Sequence, residues 1–203
     1  MPTSDRQLAF VWIAGGAAWF VNGLAGLRAE GGTSGFYAAE VAWIVVHVLV
    51  LAGITGLRRS GATGRHRWGG GALSLAAAGR VLFIAFEIAS IVLGDDDLPV
   101  FPLAVVSTGL GMTVGGAAIA RAGQWRGWGR LAPLAMGAYP FLVIVPVFAV
   151  TGERPPDVIV AGWGLTIAAV GVATAAQRRR TPSGHGSDDV DRFDHHLATS
   201  TSG

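Results

Sequence analysis

The stretch FYAAEVAWIVVHVLVLAGITGL (residues 36–57), the turn RRSGATGRHRWGG (58–70) and the stretch GALSLAAAGRVLFIAFEIASIVLG (71–94) decide the fold. Each apolar run holds 20 or more residues, enough to cross a hydrocarbon core of about 30 Å as a helix. The turn between them is short and carries Arg58, Arg59, Arg65 and Arg67. Two apolar helices joined by a basic turn form a membrane hairpin whose turn stays on the cytoplasmic side. Neither run alternates with period two, which excludes strands.

Four more runs of similar length extend this pattern: Leu8–Leu27, Pro99–Ala120, Leu131–Thr151 and Val158–Gln177. With Phe36–Leu57 and Gly71–Gly94 they predict an all-α integral membrane bundle of six transmembrane helices within residues 1–180. The first run is longer than a signal-peptide core and no small-x-small cleavage site follows it, so it is expected to stay as a span. Residues 181–203 are rich in Thr, Ser, Gly, Asp and His, which predicts a disordered cytoplasmic tail. His185, His195 and His196 lie there among Asp188, Asp189, Asp191 and Asp194, in no spacing that preorganises a metal site.

Composition agrees. The chain is 51% hydrophobic and 14% charged. Soluble domains carry roughly 25% charged residues. The chain has no cysteine, which excludes disulfides, thiolate catalysis and Cys-ligated clusters. All 15 basic residues are arginine, so no lysine Schiff base and no P-loop lysine exist. The basic balance does not point to nucleic acid, because the arginines sit at span ends. Twelve of them (Arg6, Arg58, Arg59, Arg65, Arg67, Arg121, Arg126, Arg130, Arg178, Arg179, Arg180 and Arg192) fall on one side if the N-terminus is inside. Only Arg28 and Arg154 fall on the other, next to the acidic Asp95–Asp97 loop. The positive-inside rule then places both termini in the cytoplasm and the chain in the plasma membrane.

Lipid gives helices no hydrophobic reason to associate, so small residues must let backbones approach. The fourth span carries Ser107, Gly111 and Gly115 at intervals of four; the first carries Ala14, Ala18, Asn22 and Gly26. These faces are expected to pack inside the bundle or against a partner helix. Pro140 and Pro146 lie inside the fifth span, with Pro133 at its start. Each internal proline frees a carbonyl and predicts a kink. Trp68, Trp125 and Trp128 lie beside the inner arginines, and Tyr37, Trp43 and Trp163 toward the outer ends. Together they read as an aromatic belt.

The ionisable residues inside the spans carry the functional signal. Glu40 and His47 lie on the second span, Arg80 and Glu87 on the third. Each pair is separated by seven residues, within roughly 20° of two full turns, so each shares a helix face. A charge near the bilayer centre costs at least about 2.5–3.5 kcal/mol, so these groups should face protein rather than lipid. With Asn22 they form an outer-half polar cluster. Three readings follow. Arg80 clasps a carboxylate, Glu87 or Glu40, and holds helices together. Or Glu87 and Glu40 carry protons while Arg80 is a counter-ion or anion clamp. Or His47 or Glu87 is a general base acting on a lipid-like substrate, although no metal-ligand, serine-elbow or H-E-x-x-H motif supports catalysis.

The segment GLGMTVGGAAIARAGQWRGWGRLAPLAMG (residues 109–137) has a Gly/Ala-rich helix ending in arginine, a Gly/Trp/Arg turn and a new apolar helix. Together with GRVLFIAFEIA (79–89) it resembles small multi-pass membrane proteins of high-GC bacteria, a family of unknown function. The resemblance implies a six-span bundle and no activity; no cofactor and no metal are expected from the residues themselves. The leading expectation is a non-catalytic membrane protein binding or moving a small solute or protons. The alternative is a membrane subunit or regulator that associates with a partner membrane protein or a second copy, with membrane lipids around it. The inner half is nearly all apolar apart from Ser74 and Thr113, which weighs against a polar path through both halves.

Overall fold

The computed structural model describes residues 5–25, 32–94, 101–151 and 156–178. Gly26, Leu27, Arg28, Asp95–Asp97, Pro99, Arg154 and everything from Arg179 onward, including the whole 181–203 tail, lie outside the described residues. Among the described residues the chain is helical and has no strand. Seven α-helices are present there: α1 (Asp5–Ala25), α2 (Ser34–Arg59), α3 (Arg67–Leu93), α4 (Phe101–Ala122), α5 (Ala132–Tyr139), α6 (Val145–Thr151) and α7 (Asp157–Arg178). α5 and α6 together form the fifth span, and six helical segments are long and apolar enough to cross a membrane. The chain is a multi-pass membrane protein.

Local chemistry sets the helix ends. Thr33 caps α2, its Oγ1 accepting from the Phe36 N–H at 3.3 Å, which satisfies one of the free donors of the first turn. Gly94 ends α3 in the left-handed region at φ 68°, where an L side chain is disfavoured. Its N–H donates to Ser90 O at 2.8 Å. The fifth span opens with a 3-10 turn, Gly127–Leu131, and Pro133 falls in the first turn of α5, where its missing N–H costs nothing. Pro140 lacks an N–H, and the helix answers with a π turn over Pro140–Ile144 before α6 begins. The irregularity expected at Pro140 is therefore a widened turn. The helix runs on from the π turn into α6, Val145 N–H donating to Pro140 O, so Pro146 also withholds a donor from this same irregular stretch.

The spans close a ring in chain order: α1 packs on α2, α2 on α3, α3 on α4, α4 on α5, α5 on α7, and α7 back on α1. Trp12, Ile54, Leu73, Met112, Met136, Trp163 and Ile167 fill its interior. Glycine sets the closest approaches. A Cβ on Gly16 would stand 2.6 Å from Gly164 O, and one on Gly164 would stand 2.7 Å from Gly16 O. Thus α1 and α7 meet backbone to backbone, as small residues permit between membrane helices. Gly111 faces α3, where a Cβ would meet Ala72 O at 2.6 Å, and Gly115 faces Leu73 of the same helix. Ser107 is half-buried above them.

On α1 the tight face is not the one the four-residue spacing suggests. Ala14, Ala18 and Asn22 are only half-buried, and the close contacts come from Gly16 and Gly23 against α7 and Gly15 against α2. Glycine outcompetes alanine here because a single Cβ already separates the backbones. Ser74 and Thr113 turn back on their own helices, donating to Gly70 O at 3.0 Å and Gly109 O at 2.8 Å. Both hydroxyls are thus spent on their own backbone. The C-terminal end of α7 is tied to the α4–α5 turn by two hydrogen bonds. Arg126 N–H donates to Gln177 Oε1 and Gln177 Nε2 donates to Arg126 O, both at 3.0 Å.

Candidate functional site

The seven-residue spacing on α2 and α3 brings all four ionisable groups inside the ring. Glu40, His47, Arg80 and Glu87 are all buried, and Arg80 is 0% exposed. His47 stands between the other two charged groups. Arg80 Nη1 is 3.2 Å from His47 Nδ1, and His47 Nε2 is 3.3 Å from Glu87 Oε1. Arginine has only donors, so Nδ1 accepts; Nε2 then carries the hydrogen and donates to Glu87. The direct Arg80–carboxylate clasp expected from the sequence is therefore not formed. An imidazole bridges the two charges instead. His47 and Arg80 share a level in the bundle, while Glu87 lies two turns nearer the C-terminal end of α3.

The guanidinium lies among aromatic faces. Its carbon is 4.8 Å from the ring centre of Trp163, 5.0 Å from that of Trp19 and 5.1 Å from that of Phe83. Each such contact contributes about 0.5–2 kcal/mol, the larger value where water is excluded. The box is itself ordered. Trp19 meets Trp163 edge-to-face at 5.0 Å and Trp43 at 5.1 Å, while His47 stacks on Phe83 at 4.5 Å and 11°. Both indole N–H groups are used for packing: Trp19 Nε1 donates to Val160 O at 2.9 Å and Trp163 Nε1 to Met136 O at 2.8 Å. Thus α1, α2, α3 and α7 all contribute a side chain around one cation.

The site retains open hydrogen-bonding capacity. Arg80 Nε and Nη2 are buried and have no hydrogen-bond partner, and neither has Glu40 Oε2. A buried polar group left unpaired costs about 1–3 kcal/mol, more when charged. Asn22 is half-buried on α1 and is not joined to this group. Two of the residues, His47 and Glu87, have metal-ligand chemistry and lie together. Among the described residues no group of three or more His, Asp or Glu is placed to hold a metal ion.

Trp163 is 2% exposed and Trp125 9%, so neither belongs to an aromatic belt; Trp43 is partly buried against the core. The belt reading suits Trp68, Trp128 and Tyr37, which are exposed. Trp19, Phe83 and Trp163 are the site residues that sequence reasoning missed. The signal available was depth. Trp163 lies six residues into α7 and Trp19 six from the end of α1. Each is about 9 Å along a helix and too deep for the interface. Compared with protein-family models, curated proteins and solved structures, the chain matches none of them, so its site is read from its own geometry.

Proposed function

We propose that this protein is a non-catalytic component of the plasma membrane, with both termini cytoplasmic, that binds a small anionic solute together with a proton at the Arg80–His47–Glu87 relay. One observation carries the reading: a fully buried guanidinium with two nitrogens unpartnered, tied to a carboxylate through an imidazole. Buried polar groups are normally satisfied, and a donor left open inside a bundle marks a place for an acceptor. A carboxylate or similar anion accepting from Nε and Nη2 completes the guanidinium. Proton and anion are coupled by geometry. His47 Nδ1 cannot carry a hydrogen while it accepts from Arg80, so an anion that draws Arg80 away frees that nitrogen for a proton. Glu87 and Glu40, nearer the outer ends of their helices, supply the route by which the proton arrives.

Native mass spectrometry of the full chain, purified in mild detergent, tests this. A small molecule retained by the wild type, and lost in folded Arg80→Leu and Glu87→Gln variants, is the expected result. Equal retention by wild type and both variants would overturn the assignment.

A second reading, a subunit or regulator with a membrane-protein partner, is favoured by the fifth span. Only 18% of its apolar window is buried, against 39–56% for the other five, and Leu142 and Val150 project outward. Co-purification of a stoichiometric membrane protein without any small ligand favours this reading over the first.

A further inference from the structure

At the arginine-rich end of the bundle, opposite the buried relay, the turn between α2 and α3 meets the end of α4 around a cavity of about 440 Å³. Arg65, His66, Arg121 and Gln124 line it, with Gly61 and Gly64 in its wall. No carboxylate is among the lining residues. Both glycines adopt left-handed backbone, φ 72° and 57°, closed by a Gly64 N–H to Gly61 O bond of 2.8 Å. That turn carries the chain back toward α4 without a side chain in the way. A Cβ on Gly64 would lie 3.2 Å from Ala122 Cβ and 3.5 Å from Gln124 Nε2, so any larger residue there would enter the cavity.

Depth supplies the second observation. His66 precedes α3 without using its side chain as a cap, and its ring packs 5.4 Å from that of Trp68. Trp68 and Trp128 are 45% and 58% exposed at this same end. Exposed tryptophans beside arginines mark the level of lipid headgroups. The cavity therefore sits where phosphates of anionic lipids are found, and its donors come from the α2–α3 turn, the last turn of α4 and the residues that follow it.

We infer that this cavity binds a phosphate group, held by Arg65 and Arg121 with His66 and Gln124 as further donors. Guanidinium matches phosphate oxygens with paired hydrogen bonds, and basic pockets between transmembrane helices suit lipid headgroups. The phosphate is that of an anionic phospholipid or free phosphate; the cavity chemistry is the same for both. The site is independent of the Arg80 relay and stands or falls separately.

The test uses the full chain, delipidated in detergent, followed by native mass spectrometry. Dioleoyl-phosphatidylglycerol and dioleoyl-phosphatidylcholine are added in competition, and inorganic phosphate is added in a separate arm. Expected is preferential retention of phosphatidylglycerol, reduced about 10- to 30-fold in Arg65→Gln/Arg121→Gln, as two arginine–phosphate contacts imply. The charge-matched control Arg58→Gln/Arg59→Gln, outside the cavity, should lose about threefold or less, the share of diffuse surface attraction. All four arginines are exposed, so the fold should survive, with circular dichroism as the check. Inorganic phosphate retained by the wild type, absent from the cavity variant and unaccompanied by lipid preference, identifies free phosphate as the source. The inference is overturned if neither phosphatidylglycerol nor phosphate is preferred, or if both double variants lose binding equally.

Discussion

Arg80 Nη1 stands 3.2 Å from His47 Nδ1, and the imidazole's other nitrogen stands 3.3 Å from Glu87, so the ring links the two charges. The same ring stacks on Phe83 and meets Trp19 edge-on, which prevents it from turning to serve one partner alone. A single residue thus joins α2 to α3 both by packing and by polarity.

His47→Phe separates these two roles. The ring packing survives, while Arg80 loses its one acceptor and Glu87 loses a donor. The expected cost is about 1–3 kcal/mol, that of hydrogen bonds to charged groups. Unfolding of the variant in detergent micelles checks it. Wild-type stability would mean that the bridge contributes nothing.

The aromatic box makes a different demand. Trp163→Phe removes the indole bond to Met136 O and replaces the ring nearest the Arg80 cation with a smaller, weaker cation–π partner. A loss of about 1–2 kcal/mol is expected from the two together. Trp68 is exposed, and Trp68→Phe should stay within about 0.5 kcal/mol. Melting temperatures of the two variants side by side settle the order.

Backbone contact between α1 and α7 is tested by Gly16→Ala. Its new Cβ would press on Gly164 O, a backbone atom that cannot rotate aside. Overpacking of this kind costs about 1–3 kcal/mol and lowers the yield of folded protein. A Cβ on Gly71 would meet nothing within 4 Å. Gly71→Ala should therefore stabilise by about 0.4–1 kcal/mol through the unfolded chain. Size-exclusion profiles and thermal unfolding of both variants are the readout.

Orientation has a clean assay because the chain has no cysteine, so any introduced thiol is the only one. Ser34→Cys and Ser60→Cys lie at opposite ends of α2, and both positions are exposed. A membrane-impermeant maleimide added to intact cells should label the first and spare the second until the cells are opened. The reverse pattern would invert the topology read from the arginines.

Much of this architecture is legible in the chain itself. Span number follows from bilayer thickness: an apolar run either crosses the hydrocarbon or does not, and no distant residue alters that. The seven-residue pairs Glu40–His47 and Arg80–Glu87 are visible for the same reason, since helix period is local. The tight face of α1 is less legible. Both the Ala14–Ala18 spacing and the Gly16–Gly23 spacing satisfy a small-residue pattern, and the position of α7 alone selects the second.

The sequence by itself determined that six apolar helices cross the membrane, where they begin and end to within a few turns, and that four ionisable groups must turn inward. Desolvation enforces each of these, and it acts on every residue separately. Only the tertiary structure decided that α7 closes the ring on α1, that Trp19 and Trp163 box Arg80, and that His47 stands where a carboxylate was expected. Those outcomes depend on the rotation of each helix about its axis. Between helices in lipid that rotation is set by packing of small residues against specific neighbours, which hydropathy does not encode.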